Sequence, residues 1–488
     1  MESKVKFGLN SSELKQNESK TEEFNKKALW VNICLMTVSG LQISVYYTSI
    51  WPYLKELDPS VSIDFLGWVI AAASIGQSIA SPAFGYWNQK THSVIQPVSV
   101  GFSVAIIGQF IYLLLPWFPS KSSRWIMLGA RFLTGMGTGV LSVLRTYLSL
   151  SSPPEFKMRY ISYGTGFLVI GITAGPGLQS LFSPFGEDGI RFAGINWNMY
   201  SLPTVSMILL LLLSIYVIRS HFGDDTSRFV YNSSENEFQV LPKFDKTPAM
   251  VCIFCWTVCC LIATIFEVIS TPLSIAMYNW TNSEAILYNG IFVMCSCVVS
   301  VTFYFLFGLT KLGEFDKRKM ILTGLIMFIV YLLIDYPWFF YDGPLTFIPE
   351  NTTTREVGGC EISYDWCAST VRVPMIPYLI SFFINGIGFP FICAPGASLF
   401  SLILGPRRQG TMQGLYQASG SMTQFVAPIL ATMLYEVSGY KYVILVQLIV
   451  AFAATLSVVL FYQRLRPLQM KPKLGKSASY KNGIFYVL

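Results

Sequence analysis

Most of this chain consists of long runs of residues without a charged side chain. Ten such runs are at least 20 residues long: 28–54, 65–89, 91–120, 160–186, 192–218, 247–266, 285–310, 373–406, 409–435 and 442–463. Two further apolar stretches, 125–150 and 320–341, are interrupted only by Arg131 and Arg145 in the first and by Asp335 in the second. A bilayer core about 30 Å thick requires about 20 apolar residues in a helix, so each segment is long enough to cross it.

These twelve segments are predicted to be helices. They lack the alternation of apolar and polar residues that is typical of barrel strands. Lipid offers no partners for unpaired backbone groups, so a helix, whose hydrogen bonds are internal, is the expected structure. The first run follows a charged head of 27 residues and is too long for the apolar region of a signal peptide. We therefore predict an all-α membrane protein with twelve transmembrane helices.

The composition excludes several classes of protein. Hydrophobic residues make up 53% of the 488 residues and Asp, Glu, Lys and Arg only 12%, whereas a soluble protein carries about 25% charged residues. A soluble enzyme, a disordered protein and a disulfide scaffold are therefore excluded. The two histidines, His92 and His221, fall in predicted loops, and the chain carries no recognisable nucleotide-binding or hydrolase motif. We expect neither an enzyme nor a bound cofactor.

Eight of the ten cysteines fall inside predicted spans. Four of them lie at helical spacing on the seventh span: Cys252, Cys255, Cys259 and Cys260. Buried free cysteines commonly behave as small apolar residues. We interpret these as packing residues and predict no metal site.

The basic residues predict the orientation of the chain. With the N-terminus inside, the cytosolic segments hold 25 of the 34 Lys and Arg residues and the opposite loops hold 7, while Arg131 and Arg145 lie within a span. An excess of basic residues in short loops marks the cytosolic side of a membrane protein. Both termini are therefore predicted to be cytosolic. The net charge of +7 reflects this bias, so nucleic acid is not an expected partner.

The longest polar loop on the far side, residues 342–373, has features of a lumenal segment. It contains the glycosylation acceptor pattern at Asn351, and a second acceptor pattern begins at Asn279, close to the predicted membrane surface. The loop also contains Cys360 and Cys367, which we expect to form a disulfide because a lumen is oxidising. Three more acceptor patterns, which the predicted topology leaves unused in the cytosol, begin at Asn10, Asn17 and Asn232.

The polar segments divide the chain into two halves of six spans. The predicted parts are a cytosolic N-terminal tail at 1–27, an N-terminal half at 28–220, a cytosolic central loop at 221–247, a C-terminal half at 248–463 and a cytosolic C-terminal tail at 464–488. Two six-helix halves around a midplane site are typical of transporters that expose that site to each side in turn.

Local motifs resemble the major facilitator superfamily. The fourth span reads Ala130-Arg-Phe-Leu-Thr-Gly-Met-Gly-Thr-Gly139, which is similar to the arginine-then-glycine pattern of that family. The fifth span carries Gly175-Pro176, similar to its glycine–proline signature. The resemblance implies gating or packing roles for these residues, and close helix packing alone would also explain Gly135, Gly139 and Gly175. Asn88 occupies the position of the family's usual loop aspartate, which puts the associated gating salt bridge in doubt.

Longer strings resemble a lysosomal branch of the same superfamily. They are Ile50-Trp-Pro-Tyr-Leu54, Phe65-Leu-Gly-Trp-Val-Ile70, Ser81-Pro-Ala-Phe-Gly-Tyr-Trp87, Phe266-Glu-Val-Ile-Ser-Thr-Pro-Leu273, Tyr288-Asn-Gly-Ile291, Leu404-Gly-Pro-Arg-Arg-Gln-Gly410 and Ala418-Ser-Gly-Ser421. The resemblance implies a multi-pass protein of the lysosomal or late endosomal membrane. The cytosolic tails contain no clear acidic dileucine sorting signal, so this localisation depends on the resemblance.

Three ionisable residues inside the spans are candidates for function. Insertion of such a residue at mid-membrane costs ~2.5–3.5 kcal/mol, so a retained one usually has a purpose. Glu267 lies within the seventh span, and Arg131 and Arg145 lie on the fourth. In a continuous helix these arginines lie about 40° apart around the axis and ~21 Å apart along it. We interpret Asp335, near the lumenal end of its span, as a boundary residue without a transport role.

The superfamily resemblance implies that spans one, four, seven and ten line a central cavity. Gln42, Tyr46 and Tyr47 of the first span and Asn385 of the tenth are then further candidates for contact with solute. Glu267 has two functional readings, an ion pair with an arginine across the cavity or a carrier of a proton, because burial disfavours the ionised carboxylate. The alternative for Glu267 is a structural role, as a permanent ion pair or a hydrogen-bonded acid that joins the halves. An arginine near a helix end can also extend to the surface.

Three functions fit these features. The leading hypothesis is a secondary transporter that moves a small solute by alternating access, with proton coupling as a variant. Two fixed cations against one titratable acid favour an anionic solute. A channel-like chloride conductance through the same cavity is the second hypothesis, and a non-transporting receptor or scaffold is the third. The expected partners are the lipid bilayer and a small molecule or ion.

Overall fold

The structure is a computed structural model. It describes residues 26–46, 49–61, 63–152, 156–186, 189–192, 195–222, 244–341, 343, 345–347, 359–360, 364–469, 478–481 and 484–487. Tyr47 and Asn351 lie outside the described residues.

The fold is built almost entirely from α-helices. They are α1 (Lys26–Ser44), α2 (Ile50–Leu57), α3 (Ile63–Thr91), α4 (Ile95–Leu113), α5 (Ser120–Thr138), α6 (Leu141–Ser151), α7 (Lys157–Leu181), α8 (Ser201–His221), α9 (Lys246–Tyr278), α10 (Asn282–Leu309), α11 (Lys317–Asp335), α12 (Met375–Leu404), α13 (Gly410–Ser438) and α14 (Tyr440–Leu460). Two antiparallel hairpins pair β1 (Ile190–Phe192) with β2 (Ile195–Trp197) and β3 (Ala478–Lys481) with β4 (Ile484–Val487).

Nine helical segments in the described part of the chain are long and apolar enough to cross a membrane, counting α5 and α6 as one. Three more helices, α1, α11 and α13, occupy the other positions of the predicted spans and are 19, 19 and 29 residues long. The all-helical membrane fold is confirmed. The count of twelve crossings stays a prediction.

Some predicted spans are longer than the helices that the structure contains. The uncharged run 28–54 holds two helices, because α1 ends at Ser44 and the short α2 begins at Ile50. The run 192–218 contains strand β2, and its long helix starts only at Ser201. An absence of charge marks apolar surroundings, but it does not distinguish a spanning helix from an apolar turn or a surface helix.

The fourth span is broken near its middle. Helix α5 ends at Thr138 and α6 begins at Leu141, with a turn at 139–140. Glycine is a poor helix former, and the Thr138 hydroxyl bonds back to the carbonyl of Gly135 at 2.7 Å. The 40° relation expected between Arg131 and Arg145 assumed a continuous helix, and it stays a prediction.

The candidate glycines of the N-terminal half lie where helices touch. A Cβ atom on Gly135 would lie 2.0 Å from the carbonyl oxygen of Ala73 on α3, and one on Gly175 would lie 2.0 Å from the Ser44 hydroxyl on α1. Gly139 faces the Ala80 methyl group, also on α3. Pro176 lies within α7 directly after this contact. The geometry favours a packing role for these glycines.

The starts of α9 and α11 and the end of α14 lie on one side of the helix bundle, which we call the tail side. An ion pair joins Arg464, beyond α14, to Asp245, before α9, at 2.7 Å. Arg318 at the start of α11 donates to the carbonyl of Tyr462 at 3.2 Å. These contacts bring together the start of α9, the start of α11 and the chain that follows α14. This side corresponds to the predicted cytosolic side.

Candidate functional site

A central cavity of about 200 Å³ lies between the two halves. Helix α6 contributes Arg145, α9 contributes Glu267, and α12 contributes Asn385 to its wall. Three of the sequence candidates therefore meet in one space, although they lie more than a hundred residues apart. The wall also carries uncharged polar groups from α3 and α13, including Gln77 and Gln417.

A smaller cavity of about 50 Å³ lies beside the central one and is lined by Arg131 and Gln42. Ile43, Gln77 and Gln424 line both cavities. Because they share these three residues, the two cavities are adjacent parts of one polar interior. Arg131 and Arg145 thus reach the same interior at different depths.

The Arg131 side chain is buried without a counter-ion. The residue is 3% exposed, and its guanidinium lies over the Tyr46 ring at 5.4 Å from the centroid. Its Nε atom has no hydrogen-bond acceptor, and no ion pair to Arg131 is found within the described residues. A buried cation without a paired anion is costly, so this side chain has an unused capacity to bind one.

The unsatisfied polar groups around Arg131 are mainly hydrogen-bond donors. Gln42 accepts from Gln109 Nε2 at 3.0 Å, while its own Nε2 group is buried without an acceptor. The hydroxyls of Thr134 and Thr138 donate to backbone carbonyls of their own helix. The unsatisfied N–H groups of Arg131 and Gln42 therefore define a site for an acceptor, such as an anion.

Tyr46 supports this site from behind. Its hydroxyl bonds to the Gln109 side chain and, at 3.0 Å, to the Thr204 hydroxyl, so it is directed into the N-terminal half. The ring presents its face to Arg131, a favourable arrangement for a cation. Tyr46 is thus a support for Arg131, and it does not line either cavity.

Arg145 connects the two halves. Its guanidinium lies over the ring of Trp256 on α9, 4.9 Å from the centroid, and its Nε atom has no acceptor. This cation–π contact replaces an ion pair and leaves the positive charge available to the central cavity. The Arg145 side chain lines the central cavity.

Glu267 faces the central cavity and is accessible from it. Within the described residues its carboxylate forms no ion pair with either arginine. The Ser270 hydroxyl bonds only to the backbone carbonyl of Glu267, at 3.4 Å. Five residues later Pro272 interrupts the hydrogen bonding of α9. In this conformation the structural ion pair considered for Glu267 is therefore not formed, and the acid is free to meet solvent or solute.

Asn385 completes the polar wall on α12. Its Oδ1 atom is buried without a donor. The next residue, Gly386, accepts a hydrogen bond from Ser300 of α10 at 2.6 Å through its carbonyl. The amide oxygen of Asn385 is thus an unused acceptor opposite the arginine side of the cavity.

The tail side of the cavity is sealed by contacts between α3 and α13. A Cβ atom on Gly85 would lie 2.2 Å from the carbonyl oxygen of Gly410, so the two backbones touch. Gln89 accepts from the backbone N–H of Thr411 at 3.0 Å. Lys157 of α7 donates to the Ser401 hydroxyl at 3.1 Å. We call these contacts the tail-side seal.

The seal contains neutral partners where the family resemblance implies a salt bridge. Asn88 donates to the carbonyl of Ser93 in its own loop at 3.0 Å. His92 accepts from Arg408, and both burial and the nearby Arg408 charge lower the pKa of His92. The structure therefore closes this side through backbone contact and hydrogen bonds to uncharged acceptors.

Sequence reasoning did not identify several residues of the site. Gln77 and Gln424 lie in uncharged runs, where an amide carries no signal in a search based on charge. Asp335, interpreted as a boundary residue, is 5% exposed and lies in a cavity of its own. Its position at the end of an apolar run could not reveal how deeply it is buried.

The far side carries the predicted lumenal features. Cys360 and Cys367 are joined by a disulfide, with Cα atoms 6.2 Å apart. Trp366 packs against Tyr435, with ring centroids 5.2 Å apart, so the disulfide loop rests on the end of α13. Asn279 is exposed in the three-residue turn between α9 and α10 and accepts from Thr346.

Comparisons with known proteins identify the class. The Major Facilitator Superfamily model matches residues 33–348 and 366–483. The chain belongs to this superfamily and is a membrane transporter, not an enzyme.

The sequence is also similar to the Xenopus laevis Major facilitator superfamily domain-containing protein 8. The two are 30% identical over 479 residues, 90% of this chain and 92% of the relative. This similarity confirms the resemblance that the quoted strings indicated.

Solved structures share the fold at low sequence identity. The human organic anion transporter MFSD10 (TETRAN) aligns with a TM-score of 0.60 and 11% identity, covering 89% of this chain and 99% of its own. A bacterial homologue of the iron transporter ferroportin, in an outward-facing state, aligns with a TM-score of 0.62 and 12% identity, covering 90% and 100%.

Proposed function

We propose that this protein is a secondary transporter that moves a small anionic solute by alternating access, with Glu267 as a proton-coupling residue. The solute binds in the polar interior formed by the two cavities, between Arg131 and Arg145. The tail-side seal must separate during the cycle to expose this interior to the other compartment.

The observation that carries this proposal is the buried, unpaired guanidinium of Arg131 beside the unpaired Nε2 group of Gln42. Hydrogen bonds to a charged group contribute about 1.5–3 kcal/mol each. An anion would supply the acceptor that these donors lack. Arg145 adds a second positive charge from the opposite end of the interior, while the ionised Glu267 would repel an anion unless it takes up a proton.

The test is anion binding by the purified protein. Sodium salts of chloride, monocarboxylates and dicarboxylates are added to protein in nanodiscs, and the thermal unfolding midpoint is measured. A ligand that binds the folded state raises the midpoint. We expect at least one anion to do so, and Arg131→Gln to weaken its affinity by roughly 10- to 150-fold, the equivalent of ~1.5–3 kcal/mol.

Arg159→Gln is the matched control, because Arg159 is exposed on the tail side and bonds to Tyr163. It should leave anion affinity unchanged. An equal loss in both variants, or stabilisation by organic cations alone, would contradict the proposal. Flux of the binding anion into vesicles then separates the mechanisms. Saturable flux that is not accompanied by a sustained anion current fits a carrier. A sustained anion current fits a channel.

We further propose a lysosomal or late endosomal location, with both tails cytosolic and the far side in the lumen. The similarity to the Xenopus laevis relative and the excess of basic residues in the predicted cytosolic segments support this assignment. An acidic, oxidising lumen would maintain the Cys360–Cys367 disulfide and would allow glycosylation at Asn351, with Asn279 as a second candidate. It would also supply the protons that Glu267 takes up.

A further inference from the structure

A second polar cavity lies on the other face of α9, away from the central one. It measures about 30 Å³ and is enclosed by α9, α11, α12 and α14 of the C-terminal half. Asp335 at the end of α11 and Gln447 on α14 are buried polar residues of its wall at 5% and 2% exposure, and Ser270 on α9 is a third. Phe266 lines both this cavity and the central cavity, so only the thickness of α9 separates them.

The unsatisfied groups in this cavity are acceptors. Asp335 Oδ1 and Gln447 Oε1 are both buried, and the described residues offer neither of them a hydrogen-bond donor. Gln447 uses its Nε2 group to donate to the Val443 carbonyl at 3.3 Å, which turns the oxygen toward the cavity. Two buried acceptors without donors are costly. One water molecule would donate to both oxygens, and a proton on the carboxyl group would remove the negative charge whose burial is costly.

The hydrogen bonds of Ser381 point to the same conclusion. Its hydroxyl lies 2.7 Å from the carbonyl of Tyr378 and 3.0 Å from Asp335 Oδ2. A hydroxyl has one hydrogen to donate, and the shorter contact is with the carbonyl. The contact with Asp335 is then satisfied if the carboxyl group carries a hydrogen and donates it to the Ser381 oxygen.

The surrounding phenols do not compensate an ionised carboxylate. Tyr378 directs its hydroxyl toward the Ser270 carbonyl and the Asn289 amide, and Tyr278 and Tyr440 donate to the carbonyls of Val373 and Val371. The titratable groups that interact with Asp335 from the adjoining helices and loop are Tyr278, Tyr331, Tyr341, Tyr378 and Tyr440. Arg372 is exposed and acts on Tyr278.

We propose that Asp335 is a proton-binding site of this transporter, separate from the solute cavity and reached from the side opposite the tails. It lies one to two helical turns below that surface, at the end of α11 and near the start of α12 and α14. The protonated carboxyl group joins α11 to α12 through Ser381 and shares its cavity with Gln447 of α14. Release of the proton would leave a carboxylate against the face of α9 that lies behind Glu267. The proposed role in transport rests on the proposed function, but proton binding itself does not.

The test measures the proton directly. Purified protein in nanodiscs, without solute, is titrated between acidic and neutral pH, and infrared difference spectra record the C=O band of protonated carboxyl groups. We expect one component to disappear as pH rises in the wild type, to be absent from Asp335→Asn, and to persist in Glu267→Gln. An unchanged spectrum in Asp335→Asn would overturn the proposal.

Thermal unfolding provides the second readout. A folded state that binds a proton more tightly than the unfolded chain loses stability as pH rises, by up to about tenfold in the unfolding constant per pH unit for one proton. Asp335→Asn, which keeps a neutral side chain at every pH, should flatten this dependence and retain the stability of the low-pH wild type. A wild-type midpoint restored at neutral pH by sodium, but not by potassium, would show a sodium site and overturn proton binding.

Ser381→Ala covers the case in which Asp335→Asn does not fold. It removes the proposed hydrogen-bond acceptor of the protonated acid, so the carboxyl band should shift in frequency and remain present. An unshifted band would contradict the assignment. Failure of these tests would leave anion binding at Arg131 unaffected, and failure of anion binding would leave the titration of Asp335 intact.

Discussion

At the scale of residues, the three ionisable side chains of the interior differ in what accompanies them. Arg131 has the ring of Tyr46 beneath it, and Arg145 has the ring of Trp256. Among the described residues, no cation is paired with Glu267, which is accessible from the cavity. The positive charges are therefore held in place by aromatic faces, while the acid is left open to exchange with solvent.

This difference predicts a specific effect of Glu267→Gln. Flux of the anion identified by the binding test should depend on the pH of the far-side compartment in the wild type, because Glu267 gains a proton as that pH falls. Glutamine keeps the shape of the side chain but exchanges no proton, so the pH dependence should be lost while protein level in the membrane is unchanged. This pH dependence is measured as anion flux into vesicles across a series of imposed pH gradients.

Glu436→Gln is the control for this experiment. Glu436 is an exposed acid on α13 that lines neither cavity of the proposed solute site. Its substitution should preserve the wild-type pH profile. A wild-type profile in Glu267→Gln would rule out coupling through that residue and would leave Asp335 as the remaining acid candidate in the C-terminal half.

The sequence was sufficient to find Glu267, Arg131 and Arg145, because a charge inside an apolar run is visible without a structure. It could not show which of these charged side chains contacts an aromatic ring and which faces the cavity alone. Pairing depends on neighbours from other helices, such as Tyr46 and Trp256, whose apolar rings blend into the surrounding composition. The amides Gln77 and Gln424 carry no charge, so they do not stand out within an uncharged run either.

At the scale of elements, the tail-side seal depends on the close approach of α3 and α13. Gly85 and Gly410 allow their backbones to touch, and Gln89 adds one hydrogen bond. The break between α5 and α6 lies beside this region, where the Ser142 hydroxyl bonds to the carbonyl of Ser81 on α3 at 2.9 Å. The seal and the broken fourth span therefore share α3.

Gly85→Ala is expected to open the seal. The added methyl group would lie 2.2 Å from the Gly410 carbonyl oxygen, and overpacking of this kind costs about 1–3 kcal/mol. Because the strain exists only while the halves touch, the sealed arrangement should become less populated. Hydrogen–deuterium exchange should increase in peptides covering 85–92 and 405–414.

Gly67→Ala is the matched control, on the same helix α3. No atom lies within 4 Å of the position that its Cβ would occupy. Exchange in the same two regions should match the wild type. If Gly85→Ala also left exchange unchanged, the backbone contact would not be what holds the tail side closed.

The locations of the long helices could be predicted from the uncharged runs, but their ends and the break in the fourth span could not. Glycine-rich sequence at 135–139 is compatible with both a straight helix that packs closely and a broken one. Whether the helix is straight or broken depends on the threonine and serine side chains that bond to local carbonyls and on the contact with α3. Those interactions are set by the tertiary structure.

At the scale of the whole molecule, every assignment of a compartment depends on which side carries the tails. The basic residues favour a cytosolic tail side, and the acceptor patterns give an independent check. Asn351→Gln should increase gel mobility by the loss of one glycan, because its loop is predicted to be lumenal. Enzymatic deglycosylation of the wild type should give the same shift.

Asn232→Gln is the control for this topology test, because its acceptor pattern lies in the predicted cytosolic central loop. It should leave mobility unchanged. The opposite result for the two variants would invert the molecule in the membrane. The proton for Asp335 would then come from the cytosol and the tails would lie in the lumen.

The tail-side seal has one more consequence, which concerns ionic strength. Closure brings Lys157 of one half against Ser401 of the other, and Arg408 against His92, so cations meet neutral partners where an ion pair would bring opposite charges together. Within the described residues, the net effect of closure is to gather positive charge. Electrolyte at 0.15 M screens such charges beyond about 8 Å. Salt should therefore strengthen this closed arrangement, whereas it would weaken a gate held by a salt bridge.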